Sequence, residues 1–394
     1  MKTVYFDNNA TTAVAPEVLE EMLPYLREFY GNPSSMHTFG GQLHRKIEEA
    51  RAKVAALLGA EPEEVVFTSC GTESDNTAIM SAVEAFPQKR HIITTRIEHP
   101  AVLNFCKHLA RKGFRLSFIP VNNSGQLNTA DLLKAIDDDT VVVSIMYANN
   151  EIGNIYPVRE IGEMLKERRI LFHTDAVQAV GKIPINLKTL PIDMLSLSGH
   201  KLHAPKGVGA LFVRKGTRFF PYIIGGHQEK GRRAGTENLA SIIGLGKACE
   251  LAMKDMAEEA AYLKKLRDRL ESTLMKTCPD VRVNGDPGSR LPNTTNLSFE
   301  YVEGEAILLR LNEYGVCASS GSACSSGSLE PSHVLRAMGV PFTAIHGSIR
   351  FSLSRYNTEA EIDEAIRIIP GIINELRRLS PFGREKLGES IKCS

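Results

Sequence analysis

From residue 64 onward, short runs of β-branched and aromatic residues alternate with longer stretches whose apolar positions recur every three or four residues. Glu64–Thr68 reads as a strand, followed by a polar turn and a helical Thr77–Val83. His91–Thr95 is the next strand. Glu98-His99-Pro100 then opens a helix, with proline in the first turn, where its missing N–H costs nothing. Thr140–Met146 is almost continuously apolar, as expected of a strand covered on both faces. A charged helix over 158–169 leads into Ile170–Asp175, and Asp193–Ser198 and Val208–Val213 complete the series. Strand and helix in rotation predict an α/β fold, a mainly parallel sheet sandwiched by helices.

After Gly235 the texture changes. A long helix over about 240–275 is followed by strands at Val281–Asn284 and Thr295–Phe299, and a helix from Glu303. A strand at Ser348–Leu353 and an amphipathic helix over 359–379 close the pattern. This predicts a smaller α+β unit over 241–394 beside a large unit over 21–240, with residues 1–20 packing back onto the small one. No internal repeat is visible.

Composition narrows the function classes. A length of 394 residues suits two domains. The 47 basic and 46 acidic side chains leave a net charge of +1, which argues against a nucleic-acid surface. No stretch approaches the roughly 20 apolar residues that span a bilayer. Asp7, Asn8 and Asn9 interrupt the start too early for a secretion signal, so the expected address is the cytoplasm, with no membrane partner. The seven cysteines are odd in number and lack C-x-x-C spacing, which fits neither a disulfide framework nor a thiolate zinc site.

Ligands of open α/β sheets sit beyond the carboxyl ends of the strands. Gly71 and Thr72 follow the first strand and open a helix, a pairing that suits a phosphate. His99 follows the second, Asn149-Asn150-Glu151 the third, Asp175 and Gln178 the fourth, and Ser198-Gly199-His200-Lys201 the fifth. A phosphate cradle, an imidazole, a carboxylate and an amine are what pyridoxal 5'-phosphate requires: a lysine for its Schiff base, an acid for its pyridinium nitrogen and a flat partner for its ring. Taken singly, each residue has a plainer reading. Lys201 could be a solvated turn lysine, with Lys206 as a competing amine, and His99 a helix-entry residue. His200 and His203 suggest zinc, but H-x-x-H without an intervening carboxylate lacks the usual helical spacing, and no metal is required.

Residues 318–328 are all small except Cys324. Composition alone describes a flexible linker. A linker has no use for an exposed thiol, which is an oxidation liability. A sulfur-delivering cysteine, by contrast, must be accessible and must travel between donor and acceptor. Cys317 is expected to pack at a strand start.

Together these residues resemble the cysteine desulfurases of the NifS/IscS family, within the class V aminotransferase group of fold-type I pyridoxal phosphate enzymes. The resemblance is carried by Tyr5–Thr12 (YFDNNATT), Gly31–Ser35 (GNPSS), Phe67–Ser74 (FTSCGTES), Glu98-His99-Pro100, Asn149–Gly153 (NNEIG), His173–Gln178 (HTDAVQ), Ser198–His203 (SGHKLH), Arg233–Thr236 (RAGT) and Ser320–Cys324 (SGSAC). It implies that Lys201 is joined to the coenzyme, His99 stacks on its ring and Asp175 pairs with the pyridinium. Gln178 would bond the ring hydroxyl, with Asn150 close by. Gly71, Thr72, Ser198, Gly199 and His200 would surround the phosphate, and Thr236 would reach the phosphate of the partner subunit in a homodimer. Asn32, Asn150 and Arg350 would bind the substrate, L-cysteine. Cys324 would accept its sulfur as a persulfide for an iron–sulfur scaffold or another acceptor, and could serve as a transient cluster ligand. Gly71 stands where the family often has alanine, and Ala234 where serine is common. The short C-terminus and Thr68-Ser-Cys-Gly71 lean toward the NifS-like branch. Other activities on the same scaffold, selenocysteine lysis or transamination, remain open at this point, as does a non-enzymatic sulfur carrier.

Overall fold

Consecutive apolar residues in a strand point to opposite faces, so an uninterrupted apolar run needs cover on both. The computed structural model, which describes residues 3–320 and 331–380, supplies that cover. Among the described residues the strands are β1 (Val4–Tyr5), β2 (Val65–Thr68), β3 (His91–Thr95), β4 (Arg115–Ile119), β5 (Thr140–Ser144), β6 (Leu171–Asp175), β7 (Met194–Ser198), β8 (Gly209–Val213), β9 (Val281–Asn284), β10 (Thr294–Phe299), β11 (Val316–Cys317) and β12 (Ser348–Ser352). Val66, Ile92, Val142, Met194 and Leu211 meet helices Gly71–Ala85 and Pro100–Arg111 on one face of the central sheet. Their neighbours Val65, Ile93, Val143, Leu195 and Phe212 meet helices His44–Leu58, Val158–Glu167 and the start of Leu239–Thr277 on the other.

The central sheet runs β2-β8-β7-β6-β5-β3-β4. All its pairs are parallel except those of β8, which lies antiparallel to both β2 and β7. Two reversals restore direction, so β2, β3, β5, β6 and β7 all end on one rim. The sequence pattern predicts five of these strands and β8 but not β4, where exposed Arg115 and half-buried Ser117 break the apolar run.

A second sheet, β12-β10-β9, is antiparallel. Leu297, Phe299, Ile349 and Phe351 pack with Leu263, Leu266, Leu270 and Leu274 of the long helix and with Ile362, Ile369 and Ile373 of helix Glu359–Leu379. That last helix begins at a capping box: Thr358 accepts from Glu361 N–H, and the Glu361 carboxylate accepts from Thr358 N–H.

The N-terminal residues cross between the two sheets. β1 pairs in parallel with β11, Val4 and Phe6 join the second apolar cluster, and Asn8 N–H donates to Ser352 O at 3.1 Å. Four residues later Thr12 N–H donates to His200 O at 2.9 Å. The segment between, 7–11, therefore lies along the rim of the central sheet.

Candidate active site

A cavity of about 330 Å³ opens at that rim. Gly71, Thr72, His99, Asn150, Asp175, Gln178, Ser198, His200, Lys201 and Arg350 all line it. Gly199 lies beneath, where any Cβ would come within 2.9 Å of Val208 Cγ1. Asn32 and Thr236 are exposed and outside this cavity in the single chain, and Asn32 Oδ1 is taken up by Ser34 N–H at 2.9 Å. Cys324 lies outside the described residues.

Lys201 closes the short 3-10 turn Gly199–Lys201 after β7, and its Nζ donates to the carbonyls of Asn9 at 2.6 Å and Ala10 at 2.7 Å. Asp175 ends β6. Its Oδ1 accepts from Val177 N–H at 2.9 Å, yet burial prevails over that bond and the Lys201 charge, and lifts the carboxyl to about 6. His99 is the N-cap of helix Pro100–Arg111, its Nδ1 accepting from Ala101 N–H at 3.2 Å. A nitrogen that accepts a hydrogen bond carries no proton, and burial, then the Lys201 and His333 charges, push the imidazole down to about 4. A neutral, flat ring is the result. His200 is pinned through Nδ1 to Thr11 Oγ1 at 3.1 Å, and burial followed by the Lys201 charge takes it to about 4.

Arg350, on β12, is 3% exposed. It pairs with Asp7 Oδ1 at 2.6 Å and donates to Asn150 O at 3.1 Å. The cavity is thus closed on one side by the smaller sheet.

Three features escape the sequence reading. Asn9 and Ala10 line the cavity and hold Lys201 through backbone carbonyls, which no side-chain pattern can announce. Asp75 lines it too, 1% exposed in the first turns of helix Gly71–Ala85, with burial and the Asp175 charge raising its carboxyl well above the usual range. Its position one helical turn after Thr72 was the available signal. Cys70 precedes the helix as an N-cap without a side-chain cap bond. Finally, Gly71 has a local reason: an added Cβ would stand 2.8 Å from Val177 Cγ2, so alanine here would require Val177 to move.

The fold and this rim define a class V aminotransferase, whose family model matches residues 4–365. The chain belongs to that family and, within it, to the cysteine desulfurases, as three likenesses attest. It is 61% identical over 388 residues to the cysteine desulfurase of Trichormus azollae, covering 98% of this chain and 97% of the relative. It is 56% identical over 383 residues to cysteine desulfurase NifS of Azotobacter vinelandii, covering 97% and 95%. A solved NifS-like protein superposes with a TM-score of 0.90 at 44% identity, covering 95% of this chain and all of the other.

The enzyme uses pyridoxal 5'-phosphate, and the cavity fits that coenzyme on a ground of its own. Ser198 is 2% exposed and its Oγ has no hydrogen-bond partner among the described residues. An unpaired buried hydroxyl costs about 1–3 kcal/mol. Beside it in the lining, helix Gly71–Ala85 begins without a side-chain cap. A free hydroxyl and free helix N–H groups together suit a phosphate. Among the described residues no helix is long and apolar enough to cross a membrane.

Proposed function

We propose that the residues of this cavity divide the work of converting L-cysteine to L-alanine, with Cys324 as the sulfur acceptor. What carries the reading is the convergence of Lys201, Asp175, His99 and the unpartnered Ser198 hydroxyl on one cavity. Lys201 would hold the coenzyme covalently. Ser198, His200, Gly71 and Thr72 would hold its phosphate, His99 would cover its ring, Asp175 would face the ring nitrogen and Gln178 the ring hydroxyl. When bound, the coenzyme supplies the electron sink that lets an amino acid lose its Cα proton. The Lys201 amine would serve as the base at Cα. Arg350 and Asn150 orient the substrate carboxylate, with Asn32 as a further contact. The Cys324 thiolate attacks the substrate sulfur: an S–S bond forms, the substrate C–S bond breaks, and the carbon takes up a proton to become the methyl of alanine. The persulfide is handed to an iron–sulfur scaffold or another acceptor.

A homodimer in the cytoplasm fits this reading. Thr236 is exposed outside its own chain's cavity, and large apolar side chains stand in water, Met36 at 104% and Ile224 at 84% exposure. The test is the absorption spectrum before and after L-cysteine, with alanine assayed alongside. Lys201→Ala is expected to lose both the visible band and turnover. Cys324→Ser is expected to keep the band and stop sulfur release; undiminished turnover in that variant would remove the persulfide step.

A further inference from the structure

Gln178 is held from behind. It lies in the turn after β6, 5% exposed, and its Oε1 accepts from Lys182 Nζ at 2.7 Å. Its Nε2 donates to the Asn9 carbonyl at 2.9 Å. Lys182 is absent from the lining of the main cavity. It lines instead a separate small cavity of about 20 Å³, shared with Lys201 and Glu259.

A primary amide has two unlike ends, and only its neighbours decide which end faces where. When protonated, Lys182 donates and cannot accept, and so selects the oxygen of Gln178. The Asn9 carbonyl, which only accepts, takes one of the two N–H bonds. The other has no partner among the described residues, and Gln178 lines the cavity. Lys182 Nζ also reaches Asn9 Oδ1, at 3.4 Å, and Asn9 Nδ2 in turn donates to Asn150 O at 3.1 Å and Thr294 Oγ1 at 2.9 Å. One amine thus donates to two amides, the Asn9 oxygen also accepting from Asn293 Nδ2 at 3.1 Å, and Asn9 is also the residue whose carbonyl holds Lys201. The placement is costly. Burial, followed by repulsion from the Lys201 ammonium, brings the Lys182 amine down to about 7.

We infer that Lys182 is a positioning residue: by donating to Gln178 Oε1 and Asn9 Oδ1 it fixes both amides, so that an N–H of Gln178 is presented to an acceptor oxygen on the coenzyme ring. The inference rests on the proposed pairing of Gln178 with the ring hydroxyl. Lys182 does not line the coenzyme cavity, and the effect inferred for it is the one that passes through Gln178.

The experiment measures pyridoxal 5'-phosphate affinity by reconstitution of the coenzyme-free protein, together with the visible absorption maximum of the reconstituted enzyme. Lys182→Gln, which both donates and accepts, is expected to weaken binding about tenfold, the scale of one hydrogen bond, and to shift the maximum. Lys182→Met, lacking any donor, gives the same loss, and Lys182→Arg restores most of it. In a Gln178→Ala background, Lys182→Gln adds nothing. Equal losses with and without Gln178, or an unmoved maximum in both Lys182→Gln and Lys182→Met, overturn the inference and leave the Gln178 pairing standing. Wild-type affinity and spectrum in Gln178→Ala alone overturn the pairing itself.

Discussion

Ser198 keeps a hydroxyl out of water with no partner among the described residues, a local cost without local benefit. Removing it should therefore separate folding from coenzyme binding. Ser198→Ala is expected to stabilise the coenzyme-free protein by about 1 kcal/mol in urea unfolding and to weaken reconstitution roughly tenfold. A loss of stability with unchanged binding would assign the hydroxyl to the fold. A different kind of residue-scale signal comes from His173, fully buried between Ser144 Oγ and Ser196 Oγ, each 2.9 Å from a ring nitrogen. Burial pushes it down to about 3. An unfolded histidine takes a proton near 6.5, whereas this one does not until far lower pH. Its contribution to stability is then complete above about 6.5 and is lost as pH falls toward 3. Glu98 and Glu151, raised by burial to about 8 and about 7, act with the opposite sign, losing stability as pH rises. Comparison with His173→Gln cancels those shared groups. Between pH 6 and 4.5 the variant's stability should fall less steeply than the wild type's, by up to ~1.4 kcal/mol per pH unit. Parallel curves would show that His173 is protonated in the folded state.

At the scale of elements, the loop that carries Thr236 is tied to the scaffold by ions in the interior. Arg51 of helix His44–Leu58 forks onto Glu229 with two contacts of 2.7 Å, and Phe67 N–H of β2 donates to the same carboxylate at 2.9 Å. Both side chains are within 5% of full burial. Breaking one half leaves an uncompensated charge, so Glu229→Gln should cost about 3–5 kcal/mol in calorimetric or denaturant unfolding. The double change Arg51→Met with Glu229→Met should recover most of it. Neither partner is legible in the sequence, because 178 positions separate them and no periodicity connects them. What is legible obeys local rules. The strands β2, β3, β5, β6, β7 and β8 follow from short apolar runs. The helix Glu359–Leu379 is predicted over its full span, since its capping box and amphipathic face are written in adjacent residues. The residues at strand ends are visible for the same reason, and the cavity gathers nine of them. Asn9, Asp75 and Lys182 are missed because their importance depends on backbone carbonyls, on helix phase and on a fold that returns residues 7–11 to the rim. The antiparallel sense of β8 is likewise set by its connections, which hydrophobic pattern does not encode.

For the whole molecule the decisive question is where one site ends and the next begins. Within one chain the cavity is built from both sheets: the central rim provides Lys201 and Asp175, and β12 provides Arg350, locked by its pair with Asp7 at 2.6 Å. Thr236 has no place in that enclosure, although its neighbour Arg233 is clamped onto Glu73 in the first turn of helix Gly71–Ala85, Nε to Oε1 at 2.8 Å. The clamp fixes the loop against its own chain while leaving Thr236 exposed, an arrangement suited to serving a second copy. If Thr236 completes the neighbouring site, two defects on different chains are complementary. Lys201→Ala supplies a sound Thr236 with a dead cavity, and Thr236→Arg supplies a sound cavity with a damaged loop. Each homodimer should be nearly inactive. When the two are unfolded, mixed and refolded, half of the dimers are heterodimers, and each of these contains one site with Lys201 and Thr236 both intact. Since only one of its two sites is whole, the mixture should recover about a quarter of wild-type alanine formation. If each loop served the cavity of its own chain, no mixed dimer would contain an intact site, and refolding would restore no activity at any mixing ratio.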